Sequence, residues 1–318
     1  MPLDKIASVL NEGNCFLLTT HSDPDADGIG SMLALGKALL EAEKNVILLT
    51  QEPVFAPFNL LKDANRIVQK FDYEMDFDAV VVLDCAGMAR LGEHRIFLEG
   101  RKPLINIDHH ETNDFFGDLN LVDINSSSTG ELVFELIKVA GLPMGHHVAE
   151  NIFIAIQNDT GSFRYENTTS TSLRISAEMM EYGVKPWEVS RRVMDGYSLS
   201  RLRLLEMSLG TIEFHHEGKI AMMTISLEMF EKAQAHREDC EGFIDYPRFT
   251  WGVEIAVLIR QIDENDYKFS LRSNKKVNVA TLASCFGGGG HARAAGYECH
   301  GAIGALKQDF LAEAIRFF

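Results

Sequence analysis

The chain has 318 residues, 46% of them hydrophobic, enough for a sizeable core and, by length, for two domains better than one. A formal net charge of −16 argues against wrapping long duplex DNA or lying on an anionic membrane, since both need a broad positive surface; a short anionic substrate stays open if metals and a few arginines reverse the potential locally. Five cysteines, Cys15, Cys85, Cys240, Cys285 and Cys299, form neither an even set nor a CxxC pair, which excludes zinc fingers and reads as reduced thiols of a cytoplasmic protein.

The sequence shows no basic and apolar leader with a small-residue cleavage site and no uninterrupted apolar run of about 18 residues, so neither a secretory signal nor a membrane span is expected. A first strand is predicted over 15–18 and a helix over 32–42. Between them lies Thr20-His21-Ser22-Asp23-Pro24-Asp25-Ala26-Asp27-Gly28-Ile29-Gly30-Ser31. A strand that ends in a polar, glycine-rich turn before a helix is where open α/β sheets place ligands. His21, Asp25 and Asp27 together suit a divalent metal of intermediate hardness, such as manganese or zinc. The same residues also read as a helix cap with solvated turn aspartates.

A second strand is predicted over 45–50, and a short helical stretch over 58–64 after Pro53 and Pro57 interrupt the pattern. Residues 78–83 form the clearest buried strand, because Ala79-Val80-Val81-Val82-Leu83 is apolar and β-branched throughout. It ends at Asp84. Another strand, over 104–107, ends at Asp108-His109-His110. Carboxylates and imidazoles at the ends of several parallel strands would converge on one sheet edge. A polar turn at 123–128 can cap a helix over 129–139, stopped by Gly141 and Pro143. The helical run 148–157 leads into Asn158-Asp159-Thr160-Gly161. A loop and N-cap at 168–172 precede a helix through Tyr182, and 187–209 is mostly helical, with its best hinge at Gly196.

Beyond the hinge the pattern changes to hairpins, 211–215 with 220–224 and 253–262 with 267–272. Helices over 228–237, 279–286 and 302–315 complete a small α+β domain. The run Gly287-Gly288-Gly289-Gly290-His291 leaves backbone N–H groups unobstructed beside an expected helix start. It reads as a phosphate cradle or as a plain surface turn. Arg272 and Ser273, at a strand end, could add donors to the same anion.

Taken together, these segments resemble the DHH phosphoesterase superfamily, and within it the bacterial oligoribonuclease and 3'-phosphoadenosine 5'-phosphate phosphatase subfamily related to the core of the exonuclease RecJ. The motifs carrying the resemblance are the stretch from His21 to Ser31, Asp84 after its apolar strand, Asp108-His109-His110 and Asp159-Thr160-Gly161. In the C-terminal part they are Leu271-Arg272-Ser273 and the segment from Phe286 to Gly296. Ala26 and Gly28 stand in the opposite order to that common in the subfamily, and Asn158 stands where threonine is common. The resemblance implies an α/β, two-lobed protein. Its larger parallel-sheet catalytic domain would span 1–188, a helical linker 189–208, and a smaller α+β DHHA1 substrate domain 209–318.

It also implies a two-metal enzyme, usually with manganese. His21, Asp25 and Asp84 would hold one ion, and Asp27, Asp84, His109 and Asp159 the other. His110 would face the scissile phosphate, and Asp108 would orient the neighbouring ligand. Arg272, Ser273, Gly289, Gly290 and His291 would grip the terminal phosphate or nucleotide, with Arg164 and Tyr165 as a further donor and stacking surface. The implied reaction is direct hydrolysis of phosphate esters in short single-stranded RNA or 3'-phosphoadenosine 5'-phosphate, with no nucleophilic side chain. Hydrolysis of a cyclic dinucleotide or of pApA is the runner-up, and a non-enzymatic nucleotide-binding module is the reading from another class. An acidic surface does not forbid a homodimer.

Overall fold

The computed structural model describes residues 2–54, 57–72, 74–101, 103–193 and 197–318, with His291 described by its backbone alone. The chain forms two compact units, Met1–Gly196 and Tyr197–Phe318. The hinge expected at Gly196 lies outside the described residues.

The first unit contains α1 (Pro2–Glu12), β1 (Cys15–Thr20), α2 (Ala26–Glu41), β2 (Asn45–Leu49), β3 (Ile67–Val68) and β4 (Ala79–Leu83). It continues through α3 (Arg95–Leu98), β5 (Leu104–Asp108), β6 (Leu119–Val122), α4 (Thr129–Ala140), α5 (His146–Asp159), α6 (Ser170–Glu181) and α7 (Pro186–Val193). All six strands are parallel, in the order β3-β2-β1-β4-β5-β6. Side chains alternate across a strand. Phe16, Leu18, Val81, Leu83, Ile105 and Ile107 therefore pack with the long helices. Leu17, Leu49, Val80, Val82 and Leu104 pack on the other face with Leu91 and Leu98. Burial on both faces is why residues 79–83 carry no polar alternation. The chain moves outward from β1 through β2 and β3, then returns to β4 on the other side of β1. That reversal opens a crevice at the carboxyl ends of β1 and β4, the usual ligand position in such sheets.

Helix α2 begins at Ala26, inside the polar motif rather than at the expected residue 32, because the Asp25 side chain accepts the N–H groups of Asp27 and Gly28 and caps it. Helix α5 runs from His146 to Asp159, two residues beyond each end of the expected 148–157. Residues 58–64 form only a 3-10 turn at Phe58–Leu60 and the start of another at Ala64–Arg66.

The second unit holds α8 (Leu199–Leu209), β7 (Glu213–His215), β8 (Ile220–Ile225), α9 (Leu227–Ala233), α10 (Asp245–Arg248), β9 (Ile255–Asp263) and β10 (Asp266–Ser273). After these come α11 (Val279–Ser284), β11 (Gly289–His291), β12 (Ala294–His300) and α12 (Ile303–Ala314). Its mixed sheet has the order β11-β12-β10-β9-β8-β7, antiparallel except between β8 and β9. Both expected hairpins form. The helix start expected beside the glycine run does not: α11 ends before it, and Gly289–His291 pairs with β12 as an edge strand. Close packing supplies the reason. A Cβ at Gly288 would sit 2.3 Å from the Gly296 carbonyl oxygen and 2.4 Å from Tyr297 Cβ. Among the described residues no helix is long and apolar enough to cross a membrane.

Candidate metal centre

Each cluster residue stands where an element of the parallel-sheet unit starts or stops. His21 follows β1, Asp84 follows β4, His109 and His110 follow β5, Asp25 and Asp27 open α2, and Asp159 ends α5. Asp84 has a φ of 54°, a left-handed turn that breaks the strand at this residue. Two ligand sets result, His21 with Asp25 and Asp84, and Asp27 with His109 and Asp159, each with ligand atoms within 4.8 Å of one another. Asp84 belongs to both neighbourhoods. Its Oδ2 lies 3.6 Å from His21 Nε2, and its Oδ1 lies 3.7 Å from His109 Nε2. His109 Nε2 is also 3.6 Å from both Asp27 Oδ2 and Asp159 Oδ2. Asp84, His109 and His110 make a further close group.

The imidazoles are presented for coordination. His21 Nδ1 is 2.7 Å from the Ser22 carbonyl oxygen, and His109 Nδ1 is 3.3 Å from that of Ser126. A carbonyl at Nδ1 places the proton there and leaves the Nε2 lone pair facing the carboxylates, the usual arrangement of a metal-binding histidine. Asp27, almost wholly buried, accepts the backbone N–H groups of Thr129 at 2.7 Å and Gly130 at 3.0 Å, at the start of α4. Thr129 also donates its hydroxyl to Asp84 Oδ1 at 3.1 Å. The first turn of α4 thus fixes two carboxylates.

Charge in the cluster is unbalanced. Burial first, and the neighbouring carboxylates second, push Asp25 up and Asp27 well up from their ordinary values. Burial with Asp25 and Asp84 outweighs the His109 and His110 imidazoles at Asp159, which reaches about 7. Burial also pushes Asp84 up, but His21, His109 and His110 prevail and hold it below its ordinary value. Acidic groups kept so close resist joint ionisation unless positive charge joins them. Four carboxylates and two imidazoles with oriented Nε2 atoms therefore fit a pair of divalent cations.

Around the ligands lies a further layer, of which the sequence pointed to Asp108 and His110 but not to Asn106, Asn113, Asn167 or Arg90. Asp108 Oδ1 is 2.7 Å from His110 Nδ1, so Asp108 orients His110, whereas His109 is held by Ser126. Asn113 Nδ2 donates to Asp108 Oδ2 at 2.6 Å and to Asn106 Oδ1 at 2.8 Å, and Asn106 donates to the Cys85 carbonyl at 3.1 Å. Burial lowers His110, yet the hydrogen bond to Asp108 and the charges of Asp84, Asp108 and Asp159 raise it to about 9. Asn167 Nδ2 donates to the Ser127 carbonyl at 3.0 Å and to Asp159 Oδ2 at 3.3 Å. One nitrogen of the Arg90 guanidinium lies 3.3 Å from His21 Nδ1. Single amides in polar loops carry no motif, and only the position of Arg90 six residues after Asp84 marks it in the sequence.

Of the remaining expected site residues, Arg164 and Tyr165 follow α5 in the first unit and the others belong to the second. Arg164 donates Nε to the Gly161 carbonyl at 2.7 Å, and the Tyr165 ring lies against Gly161, where an added Cβ would be 2.4 Å away. Arg272 and Ser273 end β10 in the second unit. Ser273 is buried, its hydroxyl donating to the Ala292 carbonyl at 3.3 Å. Gly289 has nothing within 4 Å of where a Cβ would stand, while Gly290 has a φ of +142°, a region favouring glycine. The side chain of His291 lies outside the described residues.

A doubly wound parallel sheet with paired His–Asp ligand sets at its carboxyl edge, followed by a mixed-sheet α/β unit, defines a two-cation protein of a specific architecture. Residues 16–180 match the DHH family N-terminal domain and residues 217–318 match the DHHA1 domain; the chain belongs to the DHH family. It is 34% identical to the bifunctional oligoribonuclease and PAP phosphatase NrnA of Thermus thermophilus, over 98% of this chain and 92% of that protein. It is 29% identical to the protein of the same name in Bacillus subtilis, over 88% of each. The crystal structure of an exopolyphosphatase-related protein from Bacteroides fragilis superposes with a TM-score of 0.95 at 27% identity, covering 99% of this chain and 96% of that one.

Proposed function

We propose that this protein hydrolyses phosphate esters in short oligoribonucleotides and in 3'-phosphoadenosine 5'-phosphate, using two manganese ions. The observation that carries the reading is the pair of ligand sets meeting at Asp84. The names of the Thermus thermophilus and Bacillus subtilis relatives point to the same two substrates. His21, Asp25 and Asp84 hold one ion, and Asp27, Asp84, His109 and Asp159 the other. Bound there, the ions would activate a water and neutralise charge on the phosphoryl oxygens. Manganese suits a mixed nitrogen and oxygen ligand set of intermediate hardness.

His110, raised from its ordinary value by its hydrogen bond to Asp108 and by the charges of Asp84, Asp108 and Asp159, would present positive charge to the phosphoryl group and give a proton to the leaving oxygen. Asn113 and Asn106 fix Asp108, so the proton on His110 has a set direction. Arg272, with the open backbone at Gly289 and with Gly290 and His291, grips the terminal phosphate. Ser273 shapes this turn through its bond to Ala292.

The test measures phosphate or nucleotide release from 3'-phosphoadenosine 5'-phosphate, pApA, cyclic di-AMP, RNAs of increasing length and pyrophosphate. Chelated protein is compared with protein reloaded with manganese. Short RNA and 3'-phosphoadenosine 5'-phosphate should be turned over best, and only by the reloaded protein. Preference for cyclic di-AMP or pApA would favour the runner-up, and full activity in metal-free protein, checked by elemental analysis, would overturn the two-metal reading.

A further inference from the structure

The chain's acidity is uneven. Residues 1–196 carry 16 Lys and Arg against 30 Asp and Glu, and residues 197–318 carry 14 against 16. Within the nearly balanced second unit, cations collect at one end of the sheet. β9 starts there at Ile255, β10 ends at Ser273 and β12 starts at Ala294. Asn274 fastens the segment after β10 to the turn before β9: its Nδ2 donates to the carbonyls of Arg248 at 2.8 Å and Val253 at 2.9 Å, and its Oδ1 accepts from Arg248 Nε at 3.2 Å. The turn before β9 carries Tyr246, Phe249 and Trp251, exposed by 43%, 57% and 100%. Arg248 lies over the Phe249 ring at 5.8 Å. The segment after β10 carries Lys275 and Lys276, both exposed. Two acids adjoin: Glu254 Oε1 accepts the backbone N–H groups of Lys275, Lys276 and Val277 at 3.1, 2.6 and 3.0 Å, and Asp245 Oδ1 lies 3.5 Å from Arg248 Nη1, so the two lysine ammonium groups remain the cations turned to solvent.

A fully exposed indole on a turn tied to a segment that carries two exposed lysines has one ligand chemistry that uses both, a base to stack on and a phosphate to pair with. We infer that this end of the second unit binds single-stranded nucleic acid, with Trp251 stacking on a nucleobase and Lys275 and Lys276 neutralising backbone phosphates. The inference rests on the proposed substrate class and extends it to a contact beyond the terminal phosphate. A duplex does not suit the patch, because its bases are already stacked. A second copy of the chain suits it poorly, because a two-fold interface centred on the patch would bring Lys275 and Lys276 of both copies together.

The chain has two tryptophans, so Trp187→Phe leaves Trp251 as the sole indole reporter. The full chain carrying that substitution, with EDTA to prevent turnover, is titrated with pentaadenylate RNA. Saturable quenching of the indole is expected, weakened by salt and by Lys275→Ala with Lys276→Ala. In the manganese-loaded protein, Trp251→Ala should lower kcat/KM for pentaadenylate about tenfold, with Trp251→Phe keeping most of the efficiency and neither shifting the melting temperature. Absence of quenching, or unchanged efficiency in Trp251→Ala, overturns the inference. So does conversion of a dimer to a monomer by Trp251→Ala in sedimentation, which would assign the patch to a second copy. If the protein hydrolyses no nucleotide, the proposed function fails while the quenching titration still decides the binding surface.

Discussion

Gly28 sits in the first turn of α2, against the end of β1 and beside Asp84. A Cβ there would stand 2.4 Å from Thr20 Oγ1 and 3.3 Å from Asp84 Oδ2. The first distance falls nearly 1 Å short of ordinary contact, and Thr20 is a short, buried side chain with little freedom to yield. Overpacking of this kind costs about 1–3 kcal/mol, while alanine in place of a helical glycine recovers up to ~1 kcal/mol. Gly28→Ala should therefore lose about 1–2 kcal/mol, which at ~2–4 °C per kcal/mol for a unit of this size lowers the melting temperature by about 2–8 °C. Activity should fall further, by about 10- to 100-fold, because displacing Thr20 moves His21, the next residue, and crowds the shared carboxylate. Thr20 Oγ1 has no hydrogen-bond partner among the described residues, so Thr20→Ala makes room without breaking a bond. The assay is a double-mutant cycle read by thermal unfolding and phosphate release. Gly28→Ala with Thr20→Ala should be more stable and more active than Gly28→Ala alone. A single variant indistinguishable from wild type, or a double variant no better than the single, would refute the reasoning.

Asp84→Ala should reduce activity by more than about 100-fold, the upper range for removing even an outer partner of a metal site, and elemental analysis should find manganese lowered at both sites, whereas Asp25→Ala lowers it at one. Asp108→Asn removes the charge that helps raise His110 to about 9; if His110 is the proton donor proposed above, the alkaline limb of the pH–rate profile should move down toward 6.5 while metal content stays unchanged. Asp78 accepts the N–H groups of Asn14 at 2.6 Å and Cys15 at 2.9 Å, bonds that hold it below the ordinary 3.8. A depressed carboxylate stabilises above its unfolded pKa and loses that contribution as pH falls through the folded one, so Asp78→Ala should melt earlier at pH 7, with the gap closing below pH 3.8.

Most of the residues that gather at the metal centre were legible because each interrupts an apolar run. Asp84 ends five buried residues, and Asp108-His109-His110 ends another such strand, so parallel pairing alone carries them to one edge. The onset of α2 was not legible, because its first turn is polar and glycine-containing and its apolar pattern is clear only from Met32. The edge strand at Gly289–His291 was equally hidden, since a run of glycines suits a loop, a helix entry or a tightly packed strand. Asn113 acts on Asp108 from five residues further along a loop with no motif, and Asn167 acts through folding that brings distant loops together, reaching Ser127, 40 residues away. Helix α1 was not legible because it is short and buries only Ile6, Ala7 and Leu10 among its 11 residues, too narrow an apolar stripe to stand out.

The distribution of charge explains how so acidic a chain can serve an anionic substrate. Four of the acids in the first unit, Asp25, Asp27, Asp84 and Asp159, are the ones that two divalent cations would balance, four negative charges against four positive. Their cost falls on folding without metal, where three of the four are forced above their ordinary values, and not on substrate binding with metal present. The remaining acids of that unit stay in place and repel a long polyanion over any extended path. Basic groups sit instead where the second unit can use them, on the short segment after β10 and the turn stapled to it by Asn274. On the proposed function, a ligand would meet the cations of the second unit at that one segment and turn, so the number of phosphates it can pair there is small.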